Sequence, residues 1–323
     1  MPRVVFKYGA YSVAVLAVAL LVVACDGGEP APTPGPALAP APTPMPTPGP
    51  ERGRDPILVG AGDIASCGLL GDEATAPLLD AIFSGGAQGL VFTAGDNAYD
   101  SGTPQQFADC YDLSWGRHRE RTRPSPGNHD YVTEAASGYF NYFGAAAGDA
   151  DKGYYSYDLG DWHVVVINSN CAAVAGCGPG SAQEQWLRAD LSAHPAACTL
   201  AYWHHPRFSS GDHGNSTSMQ AIWQALYDVG AEVVLGGHDH DYERFAPQDG
   251  NGNPDPVDGI REFVVGTGGA SLRGFGDIQP NSDVRNSDTL GVLKLTLRST
   301  SYDWEFVAEA GETFTDSGST DCH

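Results

Sequence analysis

The chain has 323 residues, 41% of them hydrophobic, and sets 17 Lys and Arg against 40 Asp and Glu for a formal net charge of −23. That balance excludes a protein that grips nucleic acid or an anionic membrane through a basic surface. It also means that an anionic substrate needs a bound polyvalent cation to invert the local field.

Residues 1–24 open with Arg3 and Lys7, run through an apolar stretch from Tyr8 to Val23 and end in small residues before Cys25. The pattern resembles a bacterial lipoprotein signal peptide, which implies cleavage before Cys25 and lipidation of that cysteine. The alternatives are a simple membrane anchor or an ordinary secretory signal, although the apolar run is short for a spanning helix. Residues 25–54 place proline at almost every second position, which removes backbone donors and fixes φ, so an extended tether is expected. The expected location is extracytoplasmic, at the cell surface or in the periplasm, with membrane contact through Cys25 alone.

Residues 55–323 show no second linker and no internal repeat, and their length suffices for one large catalytic domain. Ile57 to Ala61 reads as a strand, Ala74 to Phe83 as an amphipathic helix, Leu90 to Ala94 as a strand and Pro104 to Tyr111 as a short helix. Tyr154 to Leu159 and His163 to Asn168 flank Gly160-Asp161 as a hairpin. Ala182 to Ala193 is a helix with Ser181 and Glu184 placed for a capping box. Thr199 to Trp203 is a strand, Ser218 to Val229 a helix and Val233 to Leu235 a strand; Glu262 to Val265, Gly291 to Leu297 and Tyr302 to Val307 follow as strands. Alternating β and α followed by a run of strands predicts an α/β sandwich of two sheets with helices outside. Beyond Cys25 the cysteines are Cys67, Cys110, Cys171, Cys177, Cys198 and Cys322. An even number in an exported chain argues for disulfides whose pairing stays open; the set expected is Cys67 with Cys110, Cys171 with Cys177 and Cys198 with Cys322.

The strand ends carry the chemistry. Gly62-Asp63 follows the first strand, GDNAY with Asp96 and Tyr99 the second, GNHD with Asn128, His129 and Asp130 comes after an arginine-rich stretch, HHP with His204 and His205 follows TLAYW, and GHDH with His238 and His240 follows VVLG. Singly each is a common turn or loop fragment. Together they offer oxygen donors from Asp and Asn and nitrogen donors from His, more than one ion takes, and suit two borderline or hard ions that share a carboxylate.

With GD, GDNAY, GNHD, WHHP and GHDHDYER, and with YYSYDLGDWHVVVINSN and VVGTGGA between and after them, the chain resembles the calcineurin-like metallophosphoesterase superfamily and its purple acid phosphatase branch. Many superfamily members place a histidine ligand where this chain has Ala65; Tyr99 of GDNAY fills that gap in the purple acid phosphatases. The resemblance implies a four-layer α/β/β/α sandwich of two mixed sheets flanked by helices. It implies a first ion held by Asp63, Asp96, Tyr99 and His240, and a second by Asp96, Asn128, His204 and His238, with Asp96 bridging. A phenolate donor favours Fe(III) first, with Fe(II), Zn or Mn second. The implied function is a metal-dependent hydrolase of phosphate esters, an acid phosphatase using direct attack by a metal-bound hydroxide. A phosphodiesterase or nucleotidase on the same site, or a ligand-binding surface lipoprotein without turnover, are the alternatives.

His129 is the candidate proton donor to the leaving group, Asp130 its possible orienting partner and His213 a candidate substrate contact. His205 is expected to line the site. Arg117, Arg119, Arg121 and Arg123 read as a solvated face rather than an anion site, and VGTGGASLRGFG as a turn near the site.

Overall fold

In the computed structural model, which describes residues 55–323, two mixed sheets carry the architecture. The expected signal segment, Cys25 and the proline tether lie outside the described residues. One sheet has six strands in the spatial order Ser317–Asp321, Ser301–Ala308, Gly291–Leu297, Ile57–Ala61, Gly89–Ala94 and Thr122–Ser125. Its last three strands are parallel and the others antiparallel. The other sheet has seven, in the order Ser282–Asn286, Tyr242–Phe245, Arg261–Val265, Val233–Gly236, Cys198–Tyr202, Trp162–Val166 and Tyr155–Leu159. Four parallel strands form its centre and antiparallel strands its flanks.

Side-chain alternation explains why the seven-stranded sheet is buried on both faces. Val164, Val166, Leu200, Tyr202, Val233, Leu235, Phe263 and Val265 join Leu58, Val91, Phe92 and Leu293 of the other sheet in one core. Val165, Ala201, Val234 and Val264 turn the opposite way and pack on Leu187, Leu191, Ile222, Trp223 and Leu226. Those partners belong to helices Ala182–Ala193 and Gln220–Tyr227. Helix Gly71–Ser84 adds Ala76 and Leu79 to the first core. The four-layer α/β/β/α sandwich is therefore the observed fold.

The three expected disulfides are the three that form. Boundaries differ where local signals mislead. Helix Gly71–Ser84 starts three residues before Ala74, and Ser218 falls in a 3₁₀ turn, Thr217–Met219, that precedes the helix. The Ser181 hydroxyl does accept from the Glu184 backbone N–H at 3.3 Å, but the Glu184 carboxylate turns to Gly180 N–H at 3.1 Å, so no reciprocal box forms. Thr103 and Gln106 form a complete one instead. Thr122–Ser125 contains Pro124, and it sits where proline is tolerated, at the sheet edge. The arginine-rich stretch before it is structural: Arg117 pairs with Asp80 at 2.7 Å, Arg119 lies over Tyr142 and Arg121 over Phe83.

Candidate metal centre

Parallel strands of both sheets end at one place. Ile57–Ala61, Gly89–Ala94 and Thr122–Ser125 lead into Asp63, Asp96 and Asn128, while Cys198–Tyr202 and Val233–Gly236 lead into His204 and His238. The loops are stitched by backbone bonds: Asp63 N–H donates to Gly95 O at 3.0 Å and Gly237 N–H to His204 O at 2.9 Å. Asp63, Asp96 and His238 hold positive φ of 59°, 49° and 70°. Such conformations cost a non-glycine residue about 1–3 kcal/mol and cluster at functional sites. Two of the preceding glycines are set by close approach. A Cβ on Gly127 would collide with the Asp96 carboxylate, and one on Gly237 would lie 2.6 Å from Ala94 O and 2.8 Å from Asp63 Oδ2.

The side chains converge in two overlapping sets. In the first, the Tyr99 hydroxyl lies 2.7 Å from Asp63 Oδ1, 2.9 Å from Asp96 Oδ2 and 3.1 Å from His240 Nε2. In the second, His204 Nε2 lies 3.0 Å from Asn128 Oδ1, 3.3 Å from Asp96 Oδ2 and 3.2 Å from His238 Nδ1. Asp96 Oδ2 belongs to both.

The donor chemistry fits cations. His240 Nδ1 donates to Ser271 O at 2.8 Å and His204 Nδ1 to Ala94 O at 2.8 Å, so Nε2 of each ring faces the oxygens and, once deprotonated, offers a lone pair to a cation there. One phenol proton on Tyr99 cannot serve two carboxylates and an imidazole lone pair at once. Positive charge must be supplied, and the electrostatics say so. Burial lowers the His204 imidazole, yet the charge of Asp96, its hydrogen bond and the charge of Asp63 lift it to about 9. Burial acts to raise Asp96, but His204 and His129 hold it below the usual carboxylate range. Burial and the two carboxylates push Tyr99 well above an ordinary phenol, so only a bound cation brings it to the phenolate.

Around the sets, His129 N–H donates to Asp96 Oδ1 at 2.8 Å and its ring Nδ1 donates to Asp100 O at 2.7 Å. Its Nε2, on a side chain 35% exposed, stands 3.9 Å from Asp96 Oδ2. Asp130 is not brought to that ring. It is fully buried, and its Oδ2 accepts from Gly127 N–H at 2.8 Å and from Asn97 Nδ2 and N–H at 2.9 and 3.3 Å. Burial and the Asp96 charge raise it to about 7. His205 does line the site: its ring lies 4.4 Å from that of His238, and Nδ1 meets Ser169 Oγ at 2.8 Å. Burial and His204 push it down to about 3, so it is neutral.

His213 is brought in as well, its ring centroid 4.0 Å from that of His238. Asp239, between His238 and His240, is buried and holds His213 through Oδ1, accepting from backbone N–H and from Nδ1, both at 2.9 Å. Only the fold, by bringing a loop 26 residues away against it, gives Asp239 this partner. Arg207 turns away to Gln220 and Gly250 O. A separate group, His163, Asp190 and His194, stacks its rings at 13°, and both nitrogens of His163 already meet Asp158 and Asp190 at 2.9 Å.

A family model described as calcineurin-like phosphoesterase matches residues 56–242. The chain belongs to the calcineurin-like phosphoesterase family. The relatives it resembles in sequence are purple acid phosphatases. It is 28% identical over 217 residues to purple acid phosphatase 15 of Arabidopsis thaliana, covering 56% of this chain and 40% of that protein. It is 26% identical over 241 residues to the probable inactive purple acid phosphatase 1 of the same plant, covering 64% and 38%. Its fold is similar to that of a purple acid phosphatase isolated from yellow lupin (Lupinus luteus) seeds, with a TM-score of 0.64 at 18% identity over 82% of this chain and 53% of that one. The chain thus spans about 40% of the length of these curated relatives. The likeness to purple acid phosphatases implies a dinuclear metal centre, and the groups Asp63, Asp96 and His204, and His204, His205 and His238, could hold a metal ion.

Proposed function

We propose that the chain is a dinuclear-metal phosphoesterase that acts as an acid phosphatase on phosphomonoesters. The observation that carries the reading is Asp96 Oδ2, which stands 2.9 Å from the Tyr99 oxygen and 3.3 Å from His204 Nε2 and so serves both donor sets. Asp63, Asp96, Tyr99 and His240 would hold the first ion, and Asp96, Asn128, His204 and His238 the second. When bound, the ions supply Lewis-acid neutralisation of phosphoryl charge and lower the pKa of a water.

The chain's own residues do the rest. Asn128, His204, His238 and His240 set the site's shape, and Ser271 O and Ala94 O fix the tautomers of His240 and His204. His129, with Nδ1 engaged by Asp100 O, presents Nε2 to the opening as donor of a proton to the leaving oxygen. His213 contacts the substrate. The phenol of Tyr99 supports Fe(III) as the first ion, with Fe(II), Zn or Mn as the second. No position of the two ligand sets is lost, which supports turnover although one relative bears the word inactive in its name. Three disulfides support an extracytoplasmic site, with Cys25 as lipid anchor; among the described residues no helix is long and apolar enough to cross a membrane.

The test compares p-nitrophenyl phosphate with bis-p-nitrophenyl phosphate from about pH 4 to about pH 8, in the parent chain and in His129→Ala. The reading expects faster turnover of the monoester, best on the acid side, and a lower kcat with both metals retained in the variant. Preference for the diester would replace it with a phosphodiesterase, and no turnover of either with the centre loaded would leave a binding protein.

A further inference from the structure

Arginine is scarce in this acidic chain, and most of it is committed. The other described arginines pair with carboxylates, as Arg117 and Arg244 do, lie over aromatic rings, as Arg121 and Arg261 do, or donate to nearby oxygens, as Arg285 does. Arg273 is the exception. It is exposed, has no carboxylate partner and lies over no aromatic face among the described residues, and its Nη1 stands 3.4 Å from His213 Nε2. Its backbone is anchored, Arg273 N–H donating to His240 O at 2.9 Å. That backbone bond and the contact with His213 place the guanidinium one side chain beyond the second donor set.

His213 is equally constrained. The buried Asp239 takes its Nδ1 at 2.9 Å and is itself held by Ser209 Oγ, so the ring keeps one face against His238 at 4.0 Å and turns Nε2 outward to Arg273. A free guanidinium beside a fixed imidazole, in a chain whose net charge of −23 repels anions elsewhere, is a recognition element for a phosphate-like group. The dinuclear centre already accounts for the scissile phosphate, so this pair faces whatever lies next to it.

We propose that Arg273 and His213, the latter positioned by Asp239, form an anion subsite beside the metal centre that receives a second phosphate on the leaving group. The inference rests on the phosphoesterase reading and narrows it: the favoured substrates carry a phosphate adjacent to the one that is cleaved.

The experiment measures kcat/KM for inorganic pyrophosphate and for p-nitrophenyl phosphate in the metal-loaded parent chain, Arg273→Ala and Arg273→Glu. The pyrophosphate-to-p-nitrophenyl phosphate ratio should fall on the order of tenfold in Arg273→Ala, the size of one charge-assisted hydrogen bond at an exposed site, and further in Arg273→Glu. A ratio that moves in neither variant, a glutamate that does no more than the alanine, or a parent chain that turns over p-nitrophenyl phosphate but not pyrophosphate overturns the proposal. A parent chain active on neither refutes the phosphoesterase reading instead. Calorimetric binding of pyrophosphate then decides the subsite: weaker binding by Arg273→Ala supports it, and equal binding overturns it.

Discussion

Replacing Asp130 separates a role in holding the site from a role in its chemistry. Three hydrogen bonds to this carboxylate converge on one oxygen: Oδ2 accepts from Gly127 N–H, Asn97 Nδ2 and Asn97 N–H at 2.8, 2.9 and 3.3 Å, while Oδ1 has no partner among the described residues. Gly127 precedes Asn128 and Asn97 follows Asp96, so the carboxylate ties together two loops that each carry a proposed ligand. Asp130→Ala leaves the backbone N–H groups of Gly127 and Asn97 and one of the two Asn97 amide hydrogens without an acceptor, while Asn97 Nδ2 keeps its bond to Ser125 O at 3.1 Å. At about 1–3 kcal/mol per orphaned donor, with some relaxation, the loss comes to about 3–6 kcal/mol. Asp130→Asn keeps one acceptor oxygen in place and should cost about 1 kcal/mol or less. Urea unfolding of the parent and both variants reads these values, with metal content measured alongside. An asparagine as damaging as the alanine would refute the argument from geometry. A stable, fully metallated Asp130→Asn whose kcat collapses would restore the chemical role of orienting His129.

Two further outcomes follow from the scaffold. The Cys198–Cys322 bridge closes a separation of 124 residues and Cys171–Cys177 one of 6; the chain-entropy model then gives about 5 and about 2 kcal/mol of stabilisation. Double Cys→Ala variants compared by denaturant unfolding should keep that order, and the reverse order would count against it. Glu262 is fully buried, and burial raises its carboxyl from 4.5 to about 8, partly offset by the backbone N–H groups of Phe208 and Arg207. Between those values the folded chain holds a proton that the unfolded chain releases, so this group's contribution to stability falls as pH rises through the window. The stability of Glu262→Gln relative to the parent should therefore improve from about pH 5 to about pH 8; a difference that does not vary with pH would contradict the assignment.

Much of the two proposed donor sets was legible because the pattern is local: a glycine and a polar donor beyond a strand, repeated at Asp63, Asp96, Asn128 and His238, with an apolar strand before Asp63, Asp96 and His238. The Gly-Asp and Gly-His pairs report a loop at a strand end, and the close contacts at Gly127 and Gly237 give the physical reason. Partners across the fold were not legible. Asp239 meets His213 from 26 residues away and Asp130 meets Asn97 from 33, and neither separation leaves a periodic trace. Edge strands were missed for a related cause. Ser317–Asp321 reads SGSTD, with no apolar alternation, and is held by pairing to Ser301–Ala308 beside the Cys198–Cys322 bridge. Tyr242–Phe245 was hidden inside GHDHDYER, where the chemistry of the histidines obscures a strand paired on both sides.

The central claim is that two donor sets joined by Asp96 hold two ions, one of them through Tyr99. Metal analysis of the purified chain, paired with a visible spectrum of the parent and of Tyr99→Phe, tests it most directly. The account expects two metal equivalents per chain and a visible tyrosinate-to-iron band that disappears in Tyr99→Phe. A chain that binds a single equivalent, or whose metal content and spectrum are indifferent to Tyr99, would contradict it.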